Sequence, residues 1–434
     1  MKKIVYTSLT ILLAASCELN FIPSTEEEAD QTPVVSETET DYNTGFVVPE
    51  TVPVLTESEL GVGGALNAFG YDVFSQILKR DPEDSYVFSP LSLSLALSMS
   101  LSGAEGETGE QLAALLGLEG MDKADVASYF KKMLGRMLTL NKKVSFQAAN
   151  ALWYDTGFSI KEGYLASLGT NYDASAFNVD FENGQKLVDA INKWVSEKTS
   201  GTIKEIVKDR PSKPLVLANA LYFSATWTFP FFKVEEKGTF YGAKGSVDVD
   251  YCDILADYQY LAKDGYEIAL FPYGEYKGYE NEGERFEMAV ILPEAGTTVG
   301  QALSWIAHTG NDLIASMNRD DATRMYVQLP CFRIESSLEN LQDILSREYP
   351  LPFTAEADFS GISDDPLFIS KVLQKTYISS DEKGTEASSA TVSYMVTAGG
   401  DPLPDPVIFK ADHPFVFLIR EKATGSNIFL GVKQ

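Results

Sequence analysis

Apolar residues recur every three to four positions through "ALNAFGYDVFSQILKR", residues 65–80, the period of a helix with one buried face. "SPLSLSLALSMSLSGAEGETGEQLAALLGL" predicts two helices around a Gly-containing turn, the second opening at Glu107–Thr108. "MDKADVASYFKKMLGRMLTL" and "GQKLVDAINKWVSEKTSG" predict two more, the last closed by Gly201 as its C-cap. Further on, "PLVLANALYFSATWTF", "FEMAVILP", "RMYVQLPCFRI" and "PFVFLIREKATGSNIFLGVKQ" are rich in β-branched and aromatic residues and predict strands. Helices lead and strands follow, with no repeat and no regular βαβ alternation. That pattern implies one large α+β domain with mainly antiparallel sheets over residues 60–434.

The N-terminus follows another rule. "MKK" is a positive n-region, "IVYTSLTILLAA" an apolar core too short to span a bilayer, and small residues lead to Cys17. Residues 1–17 are therefore expected to be an export signal. "AASC" resembles a lipobox, which makes Cys17 the lipidated first residue of the mature chain; the other reading is a plain cleaved signal. A diacylglycerol plus an acyl chain supplies the several chains that stable anchoring needs. Residues 18–59 hold eleven acidic residues and no Lys or Arg. Such a segment buries too little apolar surface to order itself and is expected to be a flexible tether. Its run "STEEEAD" resembles surface-display signals of some bacterial lipoproteins, although a solvated linker explains it as well. The expected address is the outer membrane of a bacterial envelope, facing the periplasm or displayed outward.

Charge and chemistry-bearing residues narrow the function. A formal charge of −27 argues against nucleic acid and against a basic surface resting on an anionic bilayer. Cys252 and Cys331 lie 79 residues apart, weak grounds for a bridge in so large a chain. With two histidines, His308 and His413, and no C-x-x-C pair, no metal site or cofactor is expected. No G-x-S-x-G elbow is present, and His413 precedes a proline on an apolar strand. The chain is not expected to be an enzyme.

One segment carries two patterns. "DEKGTEASSATVSYMVTAGG", residues 381–400, has the small, polar composition of an exposed loop and the alternation of a buried strand. Alternate positions Thr385, Ala387, Ser389, Thr391, Ser393 and Met395 are uncharged and, Met395 apart, small. Glu386, Ser388, Ala390, Val392, Tyr394 and Val396 form the opposite set, with its only charge at Glu386. One face could thus enter a packed sheet without overfilling it, while Gly384 gives the chain freedom to pivot.

The chain from about Leu60 to Gln434 resembles a serpin along nearly its whole length. "FSPLSLSLALSMSLSGAEGET" is similar to the family's early helix motif, and "ANALYFSATWTFPF" to the strand that ends at its breach tryptophan, here Trp227. "LPCFRIESS", "DFSGISDDPLFISKVLQKTYI", "DEKGTEASSAT" and "DHPFVFLIR…IFLGVKQ" follow in the family's order. The resemblance implies three β-sheets, about nine helices and an exposed reactive-centre loop. It also implies a suicide inhibitor: a serine protease cleaves the loop, becomes acylated, and is dragged as the loop inserts into the central sheet. Fourteen inserted residues span roughly 46 Å. About ten new ladder bonds at about 1 kcal/mol each rival an ordinary domain stability of about 5–15 kcal/mol. The uncut state would then be held kinetically.

By the same resemblance Glu382, Gly384, Thr385, Glu386, Ala387, Ser389, Ala390 and Thr391 form the loop hinge. Spacing from Glu382 places the reactive bond at Ala398–Gly399, with neighbouring registers open. No Lys or Arg stands between Gly384 and Phe409, which excludes a trypsin-like target; Ala398 suits elastase-like or subtilisin-like enzymes. Ser89, Ser92 and Asn219 match the family's shutter cluster. Gln374 stands where relatives commonly have histidine, so pH sensitivity of that imidazole is not expected. The rival reading, a non-inhibitory serpin acting as carrier or chaperone, calls for bulky, charged or proline residues in the hinge, and Gly384–Thr391 has none beyond Glu386. Lys131, Lys132, Arg136, Lys142 and Lys143 are the one basic cluster, expected to be a solvated face without heparin activation. The protein is expected to act as a monomer.

Overall fold

The helical period at residues 65–80 becomes α1, Glu57–Leu78, which opens well upstream of its apolar stripe. The reason is a capping box: Thr56 Oγ1 accepts from Glu59 N at 3.3 Å while Glu59 Oε2 accepts from Thr56 N at 2.6 Å. The computed structural model describes residues 46–140, 144–182, 184–199, 201–209, 215–275, 286–318, 322–385 and 405–434, all within the unit Thr40–Gln434.

The expectation that residues 46–59 belong to a loose tether is corrected. Glu59 is 2% exposed and takes hydrogen bonds from Ser128 at 2.6 Å and Lys132 at 2.7 Å. Pro49 and Pro53 lie so close to Gly135 that a Cβ there would come within 2.9 Å of Pro49. Composition hid this because two of the segment's acids, Glu57 and Glu59, serve the first helical turn.

Nine α-helical segments occur among the described residues: α1, then α2 (Pro90–Gly103), α3 (Gly106–Leu116), α4 (Lys123–Thr139), α5 (Glu162–Tyr172), α6 (Gly184–Lys198), α7 (Val299–Trp305), α8 (Asn311–Ser316) and α9 (Gln342–Leu345). The leucine–serine alternation of α2 looks strand-like, yet Ser89 caps its N-terminus by accepting from Ser92 N, and Pro90 fills the first turn. Nearly every α2 residue is buried; Ser94 Oγ donates back to Pro90 O at 2.6 Å, whereas Ser98 Oγ and Ser100 Oγ are buried without a hydrogen-bond partner among the described residues. Gly201 closes α6 as expected, at φ +79°, with its N–H on Ser196 O at 2.7 Å.

The strands form three sheets. One runs β1 (Tyr86–Phe88), β17 (Ser426–Lys433), β16 (Phe415–Glu421), β10 (Phe286–Pro293), β9 (Tyr266–Pro272), β8 (Tyr251–Lys263), β11 (Ala322–Pro330) and β15 (Val407–Lys410), with β5 (Phe232–Lys233) also on β8. A two-stranded sheet pairs β6 (Gly238–Gly242) with β7 (Gly245–Val249). The third, central to function, runs β12 (Phe332–Leu338), β13 (Ile369–Ser380), β14 (Gly384–Thr385), β4 (Leu215–Thr226), β2 (Val144–Asp155) and β3 (Ala174–Val179). Along β4, Leu215, Leu217, Leu221, Phe223 and Ala225 face the main core, while Val216, Ala218 and Ala220 face α6 through Leu187, Ile191, Trp194 and Val195. This two-residue period puts a helix over one half of one face and leaves the other half, at Tyr222, Ser224 and Thr226, only partly covered.

Candidate functional site: a hinge wedged into a parallel seam

β13 and β4 run parallel and pair directly from Ile369–Leu215 to Thr376–Leu221. Beyond that point β14 separates them. It is antiparallel to both, with Gly384 opposite Thr226, and Thr385 opposite Ala225 on one side and Ser380 on the other. The hinge is thus a two-residue wedge at the end of a parallel seam.

Local chemistry makes the wedge. The chain leaves β13 through a turn in which Asp381 N donates to Gly384 O at 2.9 Å. Asp381 Oδ1 accepts from Lys383 N at 2.8 Å and Gly384 N at 3.2 Å. Gly384 has φ +153°, and a Cβ there would lie 2.1 Å from the Ala225 carbonyl oxygen, so only glycine fits. Thr385 is fully buried and its Oγ1 lies 2.7 Å from the Tyr273 hydroxyl. Burial pushes that phenol well above its usual range and keeps it a donor. Trp227 stacks on Tyr273 at 4.5 Å and donates Nε1–H to Asp381 O at 2.9 Å. Backbone bonds from Trp227 N to Lys383 O and from Phe231 N to half-buried Glu382 complete the clasp. The sequence-predicted Glu382, Gly384, Thr385 and Trp227 therefore meet at one place. Tyr273 and Asp381 were missed; Asp-x-x-Gly at residues 381–384 is a turn signal that could have found the second.

Lower on the seam lies a buried polar cluster. Gln374 Oε1 accepts from Ser89 N at 3.0 Å and Gln374 Nε2 donates to Ser89 O at 2.9 Å. Ser89 Oγ donates to Ile428 O at 2.7 Å and accepts from Ser92 N at 3.2 Å. Ser92 Oγ bonds Asn219, Asn219 bonds Asn150, and Asn150 Nδ2 reaches Tyr172 O at 3.2 Å. All four predicted shutter residues, Ser89, Ser92, Asn219 and Gln374, are brought together. Asn150 was missed, though the signal was there. Residues 149–152 and 218–221 both read Ala-Asn-Ala-Leu, and β2 and β4 pair with Asn150 opposite Asn219.

Glu386, Ala387, Ser389, Ala390, Thr391, Ala398, Gly399 and Cys17 lie outside the described residues. Of the basic cluster, Lys132 pairs with Glu59 and Arg136 with buried Glu421 at 3.0 Å. His308 Nδ1 contacts Ser304 O, and His413 contacts Asp412 and Pro293 O, arrangements without a serine or cysteine nucleophile. Among the described residues no group of His, Cys, Asp and Glu is placed to hold a metal ion.

A family model described as "Serpin (serine protease inhibitor)" matches residues 64–433. The chain belongs to the serpin family. An uncharacterized serpin-like protein of Thermococcus kodakarensis is 33% identical over 382 residues, covering 86% of this chain and 85% of the relative. The native-state structure of the thermophilic serpin tengpin covers 88% of this serpin and 96% of its own chain, at a TM-score of 0.75 and 26% identity. Human thyroxine-binding globulin complexed with thyroxine superposes at a TM-score of 0.75, covering 86% of this serpin and 98% of its own chain, at 22% identity, a likeness of fold alone. Serpins are in general protease inhibitors rather than enzymes.

Proposed function

We propose that this serpin is inhibitory, a suicide trap for serine proteases that accept a small residue at the cut. The carrying observation is the direction of Thr385. Its side chain points into the core, to Tyr273, and so sets the parity of any strand that continues from it.

Continuing the register of β14 gives a specific seating. Pairing with β4 runs 385 with 225 and with β13 385 with 380. Residue 391 then falls opposite Asn219 on one side and Gln374 on the other, and those two pair with each other in the uncut sheet. Thr391 would enter the shutter cluster with a hydroxyl that both donates and accepts. Ala387, Ser389 and Ser393 would follow Thr385 to the core face. On the opposite face Glu386 and Ser388 align with half-covered Ser224 and Tyr222, whereas Ala390, Val392 and Tyr394 align with Ala220, Ala218 and Val216 beneath α6. Polar residues meet the open half and apolar ones the covered half. A carrier's loop has no reason to carry that match.

The chemistry follows. The protease serine attacks the carbonyl carbon of Ala398, the bond to the Gly399 nitrogen breaks, and the serine proton ends on the new amine. Insertion replaces one parallel seam with two antiparallel ladders, and the acylated enzyme travels with residue 398. Export through residues 1–17, lipid at Cys17 and action as a heparin-independent monomer belong to the same proposal.

Incubation with elastase, subtilisin, chymotrypsin and trypsin, followed by denaturing electrophoresis and mass spectrometry, tests it. The expected product is an adduct stable to denaturant with elastase or subtilisin, plus a fragment beginning at Gly399. Quantitative cleavage with no adduct from any of the four would favour the carrier reading.

A further inference from the structure

Cys252 and Cys331, 79 residues apart in sequence, meet in the fold. Cys252 lies on β8 opposite Leu329 of β11, and Cys331, just past β11, donates its N–H to Asp250 O at 2.8 Å. The two cysteines are therefore diagonal neighbours on one ladder, and the Cys252 thiol donates to Leu329 O at 3.5 Å. Cys252 is buried and Cys331 half-buried. The neighbouring Cys252 thiol holds the Cys331 thiol below its usual range, while Cys331 and burial push Cys252 up. Cys331 is thus the less buried cysteine and the one that ionises more readily, whereas Cys252 is enclosed and stays protonated.

We propose that Cys252 and Cys331 are a redox pair that an external disulfide, such as oxidised glutathione, closes into a covalent bridge. The Cys331 thiolate attacks the donor disulfide, forming a mixed disulfide and releasing one thiol. Cys252 then gives up its proton and attacks the Cys331 sulfur, expelling the second thiol. Two electrons and two protons pass to the donor, which leaves as two thiols.

The place gives the bridge its consequence. The Cys252 backbone sits against Lys233 of β5, two residues beyond Phe231, whose N–H holds the Glu382 carbonyl. Cys331 leads directly into β12, which carries β13. Asp381 and Glu382 of the hinge turn lie near enough for their charges to bear on both thiols. A bridge would thus tie together the two flanks of the hinge turn and brace the folded state.

The test uses the full chain, folded, treated with oxidised glutathione, then denatured, alkylated and digested without reduction. Peptide mapping distinguishes Cys17 from the pair. The expected result is a peptide joined at 252–331, lost on reduction, and an oxidised protein that melts a few degrees higher than the reduced one. Cys331→Ser treated identically should show neither change. Alkylation of both cysteines after oxidation, or glutathione retained on Cys331 without a cross-link, would overturn the pair. Equal melting of the bridged and reduced forms would overturn the brace.

Discussion

Thr385 Oγ1 lies 2.7 Å from the Tyr273 hydroxyl, with both groups sealed from solvent. The burial of Thr385 there marks the face that a strand continuing from β14, as proposed, would turn to the core. Thr385→Arg would force an unpaired charge into that site, and insertion would stall while cleavage went on. The stoichiometry of inhibition, titrated against the target protease, should rise from near one to roughly ten or more. Tyr273→Phe removes only the hydrogen bond, a change of about 1 kcal/mol, and should leave stoichiometry close to the parent's.

Gly384→Ala tests the pivot. Its methyl would stand 2.1 Å from the Ala225 carbonyl, so β14 must leave the sheet or push β4 aside. Either way the top of the seam loses pairing. Limited proteolysis of the loop should be faster than in the parent, and the uncut protein should melt lower.

The extended register separates two neighbouring glutamates. Val392→Glu would place a carboxylate beside Ala218 under α6, and should turn the protein into a substrate. Ser388→Glu, aligned with half-covered Tyr222, should retain trapping. Equal behaviour of the two variants in the adduct assay would show that the register is wrong.

Most helices and the terminal hairpin were legible from period and caps, since those signals are local. β13 was not legible by periodicity. "ISKVLQKTYISS" is buried at Gln374, Thr376 and Ser380, polar residues whose partners arrive from β4, β14 and the Ser89 cap. The hinge composition was legible, and so was the small-residue face that begins at Thr385; the partner of Thr385 was not, because Tyr273 stands on no part of the loop's own sequence. The cysteine pair was invisible for the same reason: residues 252 and 331 become neighbours only through the β8–β11 register. The start of the folded region was misplaced because acidic composition outweighed the T-E-S-E capping box at residues 56–59.

Gln374 offers Ser89 both a donor and an acceptor, bonds that a titrating imidazole holds only in part. Gln374→Leu would orphan the buried Ser89 N–H, at about 1–3 kcal/mol, while Ser89 O keeps its bond from Leu93 N at 3.1 Å. The uncut protein should melt lower, and spontaneous loop insertion on warming should accelerate. In the parent, the rate of that insertion should be flat between pH 5 and 8, whereas Gln374→His should make it pH-dependent.

Hydrogen exchange of the protein cut at 398–399 measures the central event. If the loop becomes a strand between β13 and β4, peptides covering residues 386–394 will change from rapid exchange before cleavage to protection matching β4 afterwards. Continued rapid exchange in those peptides, with residues 369–376 still protected as in the uncut sheet, would contradict the account.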